Sequence, residues 1–200
     1  MRIIGGELKR RLLQAPAGQA TRPSSDRLRE TLFNILGPSL AGAVFVDAYA
    51  GSGAVGIEAW SRGARPVVWI ESAPAALAQL RANLAGLGIA GGVVIAGRAQ
   101  VMLGRLERVP AIAAGGCDIV FFDPPYADHA AYLQLLTGLE RRPQLLRPGS
   151  RVVVESRRGT EFPEVVGRLR RERVHAVGDS QLVFYALAGG QTARPPRSEK

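Results

Sequence analysis

One cysteine, two histidines and two lysines are all that this 200-residue chain contains of those three types, and each scarcity excludes something. The lone Cys117 can form no disulfide framework and no cysteine-based metal cluster, as suits a reducing compartment. His129 and His175 stand too far apart to suggest a metal site, so no metal is expected. No apolar run approaches the roughly 20 residues of a membrane-spanning helix. The opening Met1-Arg2-Ile3-Ile4-Gly5-Gly6 lacks the apolar centre of a signal peptide, so the expectation is a cytoplasmic protein with no membrane partner.

What is present is a core. The apolar fraction of 46% is that of a globular chain, and 200 residues fit one domain with a small appendage. The net charge is +9, and it is unevenly spread. Basic residues crowd an amino-terminal arm (Lys9, Arg10, Arg11, Arg22, Arg27, Arg29) and the last third of the chain (Arg141 through Arg173). Between Pro38 and Pro125 the two signs balance. A neutral centre with basic flanks suits an enzyme acting on nucleic acid: the flanks attract a polyanion and the pocket does not trap it.

The order of elements points to an α/β fold. Arg2 to Leu13 reads as a hairpin around Gly5-Gly6, and residues 16–25 as a polar connector. Ser24 or Ser25 should cap a helix carrying Leu28, Leu32, Ile35 and Leu36 on one face and ending at Gly37-Pro38. Short apolar strands are expected at 44–46, 67–70, 93–95, 119–122 and 152–154, with helices at 54–62, 74–85, 99–107 and 129–139. Such alternation implies a parallel sheet covered on both faces. A further helix is expected at 163–171. The runs 174–177 and 182–186, joined by Gly178-Asp179-Ser180, should then pair antiparallel. The organisation expected is an extension over 1–37, a catalytic domain over 38–188 and a loose tail over 189–200.

Two motifs carry chemistry. The first is Asp47-Ala48-Tyr49-Ala50-Gly51-Ser52-Gly53, which follows the first core strand and opens a helix. With Gly56 it matches G-x-G-x-x-G, and Glu71 ends the next strand where a ribose-binding carboxylate belongs, so a nicotinamide dehydrogenase is an alternative. Asp47 argues against it: a carboxylate there repels a pyrophosphate but suits the ammonium of a methionine moiety. The second motif is Asp123-Pro124-Pro125-Tyr126, directly after the strand at 119–122. Its prolines hold a carbonyl, a carboxylate and an aromatic ring together at the carboxyl end of a strand, where open α/β sheets bind ligands. The corner is similar to the (D/N/S)PP(Y/F) motif of amino-methyltransferases.

With these motifs in this order, the chain resembles the RsmD-type 16S rRNA guanine-N2 methyltransferases. The resemblance rests on Arg2-Ile3-Ile4-Gly5-Gly6, Thr21-Arg22-Pro23 and Asp26 through Asn34, then on the loop Ala50–Gly53 and the corner, and it runs to about Leu187. It implies a class I, Rossmann-like methyltransferase: a seven-stranded sheet, mostly parallel, with an antiparallel carboxyl-terminal hairpin. The implied cofactor is S-adenosylmethionine, held by Asp47, Ala48, Tyr49, Ala50, Gly51, Ser52, Gly53, Glu71 and Ser72. Tyr49 stands where phenylalanine is usual in the family. Arg98 follows the third strand and cannot accept a hydrogen bond from the adenine amine, so Ala99 backbone groups or Gln100 are expected to read adenine instead.

The implied reaction needs no metal and no histidine. The Asp123 carboxylate and Pro124 carbonyl would accept both N–H bonds of an exocyclic amine, aiming its lone pair at the methyl group. Tyr126, with Pro125 beside it, would stack on the base. Arg10, Arg11, Arg22, Arg27 and Arg29 would hold phosphates of 16S rRNA, free or within an assembling or assembled small ribosomal subunit. An adenine-N6 methyltransferase of DNA or RNA, and a non-catalytic RNA-binding protein on the same scaffold, are the alternatives.

Overall fold

Phe45-Val46-Asp47 is buried along its whole length, and the alternation of its side chains builds the molecule. Phe45 enters one apolar cluster and Val46 another, on opposite faces of the sheet. The structure is a computed structural model that describes residues 1–15, 25–125 and 128–188. Its strands are β1 (Phe45–Asp47), β2 (Val67–Glu71), β3 (Val93–Ala96), β4 (Cys117–Phe122), β5 (Leu146–Arg157), β6 (Val165–Val166), β7 (Leu169–Val177) and β8 (Ser180–Leu187). They form one sheet in the order β3-β2-β1-β4-β5-β8-β7-β6. The first five run parallel; β8, β7 and β6 then add antiparallel, one after another.

The helices are α1 (Asp26–Leu36), α2 (Ala54–Ser61), α3 (Pro74–Gly86), α4 (Ala99–Leu106), α5 (Pro110–Gly115) and α6 (His129–Glu140). Residues of α1, α2 and α3 pack with Phe45, Trp69, Phe121 and Val153 on one face. Those of α4, α5 and α6 pack with Val46, Ile70, Phe122 and Val154 on the other. Ser25 caps α1 by accepting from the Leu28 amide at 3.2 Å. Past Leu36, Gly37 has φ 58° and leads into a short 3-10 turn.

Several expectations are corrected. The sheet among the described residues has eight strands rather than seven. The helix expected at 163–171 is instead β6, a two-residue turn at Gly167-Arg168 and the start of β7. Gly167 takes φ 55°, which a tight hairpin turn demands. The strand at 152–154 is the middle of the far longer β5, and α5 went unforeseen. The amino-terminal hairpin, by contrast, is present: around the antiparallel bridge of Arg2 with Leu12, the amides of Ile3, Arg10 and Leu13 donate to the carbonyls of Arg11, Ile3 and Met1 at 3.0, 2.9 and 2.8 Å. The connector expected at 16–25, apart from Ser25, and the tail expected at 189–200 lie outside the described residues.

The arm is nonetheless firmly seated. Ile4 and Gly5 amides donate to the two oxygens of the buried Glu58 carboxylate, each at 2.8 Å. Leu8 and Glu7 amides donate to the Oγ and carbonyl of Ser61 at 2.9 and 2.7 Å. A Cβ on Gly6 would collide with the Ser61 carbonyl, so close approach to α2 is what requires glycine there.

Candidate active site

The sheet reverses its winding between β1 and β4: β2 and β3 follow on one side, β4 and β5 on the other. This is the switch point where an open α/β sheet leaves a crevice at the strands' carboxyl ends. The register brings the candidate residues to it. Asp47 pairs with Trp69 on one side and Phe121 on the other, and Glu71 pairs with Ala96. The Ala48 amide donates to the Phe121 carbonyl at 2.8 Å, joining the loop after β1 to β4 just before Asp123. Asp47 and Glu71 continue the alternation of Phe45 and Trp69, on the face covered by α2.

Asp47 is 1% exposed. Its Oδ2 accepts from the Gly56 amide at 2.8 Å, while Oδ1, also buried, has no hydrogen-bond partner among the described residues. Burial, countered in part by the Gly56 amide and reinforced by Glu71, pushes the carboxyl up to about 7. A buried carboxylate with one oxygen unsatisfied fits a cationic ligand.

The glycines of the loop divide their work. Gly51, at φ 55°, would carry a Cβ into open space, which leaves the backbone there open to a ligand. A Cβ on Gly53 would press on Leu80 and Ile57, and one on Gly56 would run into Trp69 Nε1. Those two glycines therefore serve packing. Ala50 and Ser52 are buried beside them, with the Ala50 amide bonded to the Ile70 carbonyl at 3.0 Å.

Glu71 is already a node. Its Oε2 accepts from the Gly51 amide at 2.8 Å, and its Oε1 from the amides of Ser72 and Ala73 at 2.6 and 2.7 Å. A carboxylate offers about four lone-pair sites, so one remains for a hydroxyl donor. Next along the rim, α4 begins at Ala99, which is buried, while Arg98 is exposed. Gln100 lies beside the half-buried Tyr49. Burial, followed by the charge of Asp128, raises the Tyr49 hydroxyl to about 12, so it stays protonated. That hydroxyl makes no hydrogen bond of good geometry among the described residues, although Gln100 is close enough to oppose part of the rise.

Across the crevice, Asp123 is half-buried, Pro124 is buried and Pro125 is exposed. The Pro125 carbonyl accepts from the Asp128 amide at 2.8 Å, and the Asp128 carboxylate caps α6 by accepting from the Ala131 amide at 3.1 Å. The corner is thus anchored on its downstream side. Tyr126 lies outside the described residues, as does Arg22.

The arginines part company. Arg10, Arg11 and Arg27 are exposed. Arg11 reaches the Gly86 carbonyl at the end of α3 (3.4 Å), so it stands on the α2–α3 flank rather than beside the corner. Arg29 is corrected outright, because it is wholly buried. Its Nη2 donates to the Arg2 carbonyl and to Asp26 Oδ1 at 2.9 and 2.7 Å, and its Nη1 lies 3.6 Å from Glu58 Oε2. No phosphate can reach it.

Sequence reasoning missed Asn83. This residue of α3 is 6% exposed, and both ends of its amide serve one junction. Nδ2 donates to the carbonyls of Gln14 and Ser52 at 3.0 and 2.9 Å, and Oδ1 accepts from the Gln14 amide at 3.1 Å. The arm and the glycine loop are thereby tied together. The sole hint was a polar residue on the apolar face shared with Leu80 and Leu84.

A shallow depression lined by Phe33, Asn34, Gly37, Leu40, Ala41 and Arg62 lies beside the end of α1. Its one charged group, Arg62, is bound to Glu58 at 2.9 Å, so the depression offers no chemistry comparable with the crevice.

The chain is similar to proteins of one family. The family described as Conserved hypothetical protein 95 matches residues 1–186. The Bacillus subtilis (strain 168) protein YlbH is 35% identical over 192 residues, covering 94% of this chain and 100% of the relative. Ribosomal RNA small subunit methyltransferase D of Escherichia coli (strain K12) is 42% identical over 126 residues, which span 63% of this chain and 60% of that protein. The solved structure of Escherichia coli yhhF superposes with a TM-score of 0.78 at 32% identity, covering 94% of this chain and 98% of that one.

Proposed function

The chain belongs to the Conserved hypothetical protein 95 family as an RsmD-type methyltransferase, and on that premise we propose that it methylates the exocyclic N2 of a guanine in 16S ribosomal RNA. The methyl donor is S-adenosylmethionine, which supplies an electrophilic methyl group on a sulfonium. The observation that carries the reading is the line of Glu71, Asp47 and Asp123-Pro124 across the adjacent strand ends β2, β1 and β4.

On this reading, the unsatisfied Asp47 Oδ1 faces the ammonium of the methionine moiety, directly or through water. Glu71 accepts from the ribose with its remaining lone pair while it keeps Gly51 in place. Ala99 and Gln100 lie where adenine would be read. The Asp123 carboxylate and Pro124 carbonyl accept the two N–H bonds of the guanine amine, which pyramidalises the nitrogen and directs its lone pair outward. Tyr126 supplies the stacking face. Positioning accounts for much of the acceleration. Attack makes the nitrogen strongly acidic, so Asp123 or water removes its proton without a histidine. A guanine in a base pair hides this edge, so the substrate is an unpaired or extruded nucleotide.

The test is nucleoside mass mapping of small-subunit RNA from cells with and without the gene. The reading requires one N2-methylguanosine to disappear with the gene. Loss of an N6-methyladenosine instead would replace it with the adenine alternative.

A further inference from the structure

We propose that Arg157 and Arg158, at the carboxyl end of β5, form a phosphate-binding rim that holds single-stranded RNA beside the target base. The inference rests on the RNA reading above but concerns residues to which that reading gives no role.

The position follows from the ladder. Phe122 pairs with Val154, and the Asp123 corner begins one residue later. Strand β5 continues three residues beyond Val154 to Arg157, about 10 Å farther along at 3.3 Å per residue. Arg157 thus stands past the corner on the neighbouring strand. It pairs with Ser180 and shares the alternation of Val153, so it projects from the face that also carries Asp47 and Glu71.

The turn that presents these arginines is built from inside. Gln181 is 5% exposed; its Oε1 accepts from the Gly159 amide at 3.1 Å and its Nε2 donates to the Thr160 carbonyl at 2.7 Å. The Arg158 amide donates to the Asp179 carbonyl at 2.8 Å, and the Thr160 amide to the Arg157 carbonyl at 3.1 Å. Gly159 takes φ 84°, as such a turn requires. None of these bonds uses a guanidinium.

Both arginines are exposed, and neither side chain has an ion pair or hydrogen bond among the described residues. By contrast, Arg62, Arg65, Arg142, Arg147 and Arg171 are each bound to a carboxylate. Of the acids nearest along the chain, Glu155 is buried within β5, and Glu161 is exposed and forms no ion pair among the described residues. Two free guanidinium groups on a rigid turn beside a base-binding crevice match two successive phosphates.

The experiment measures binding of a fluorescein-labelled single-stranded RNA from the small subunit across a salt series. The proteins are wild type, Arg157→Ala/Arg158→Ala, and a control Arg105→Ala/Arg108→Ala at the far end of α4. The rim variant should bind about tenfold more weakly, with a logarithmic salt slope shallower by about 1.4, near 0.7 per lost contact. Its affinity for the methyl donor and its melting temperature should be unchanged, and the control should match wild type. If the rim variant kept wild-type affinity and slope while wild type methylated small-subunit RNA, the rim would be overturned and the functional reading would stand. If wild type itself neither bound nor methylated that RNA, both would fall.

Discussion

At the scale of single residues, burial decides which charges serve chemistry. Asp47 ionises near 3.8 in an unfolded chain and near 7 in the fold. The folded protein therefore holds a proton that the unfolded chain has released throughout that window, so the Asp47 contribution to stability falls as pH rises from about 4 to about 7 and levels off above. A rise of this size corresponds to about 4 kcal/mol. Denaturant unfolding of Asp47→Asn should give a flatter pH profile than wild type over that window. A donor ammonium beside Oδ1 favours the carboxylate, so binding at pH 6 should release a proton. Calorimetry in buffers of different ionisation enthalpy reads that release, and equal apparent enthalpies across buffers would contradict the pairing.

Arg29 shows the opposite case. Its spacing of four from Phe33 put it inside the buried stripe of α1, a signal that the helix pattern carried and that the charge count obscured. Arg29→Ala should cost about 3–5 kcal/mol in denaturant unfolding, because Glu58 loses a buried cation. The salt slope of RNA binding should not move in fractions that remain folded. Glu71→Ala should weaken donor binding by about 1.5–3 kcal/mol in calorimetry, the range for hydrogen bonds to a charged group.

At the scale of elements, the parallel half of the sheet was legible because its strands are buried on both faces and read as unbroken apolar runs. Val67–Ile70 and Ile119–Phe122 need no partner to be recognised. In the antiparallel half the pairing of 174–177 with 182–186 was legible, but β6 and the first part of β7 were not. Leu169-Arg170-Arg171-Glu172-Arg173 has the charge density of an exposed helix, but pairing with β8 along Leu169–Leu187 decides its state. Gly167-Arg168 between the apolar pair Val165-Val166 and Leu169 was the available turn signal. The glycine loop was legible as a motif, whereas its fastening to the arm was not, since Gln14, Ser52 and Asn83 meet only in three dimensions. Asn83→Ala would leave the carbonyls of Gln14 and Ser52 and the Gln14 amide without those bonds. A loss of about 1–3 kcal/mol in unfolding is expected, with weaker donor binding because Ser52 belongs to the loop proposed to hold the cofactor. Unchanged stability and affinity would show that the junction is incidental.

At the scale of the whole molecule, the sheet gathers onto one edge groups that the chain spreads from Asp47 to Arg158, and three adjacent strand ends carry the acids. The basic flanks are not a uniform field. Much of the arm is committed to α2 through Glu58 and Ser61, and Arg29 is internal, so the charge count overstated what phosphates can reach. The central claim is that the Asp123 corner acts on the amine in the transition state rather than shaping the fold. Its most direct test is single-turnover methyl transfer from labelled donor to small-subunit RNA, comparing wild type with Asp123→Ala and digesting the RNA to nucleosides. The account predicts label in N2-methylguanosine with wild type, and a rate at least about 100-fold lower for Asp123→Ala with donor affinity intact. A variant rate equal to that of wild type, or label in a methylated adenosine, would contradict it.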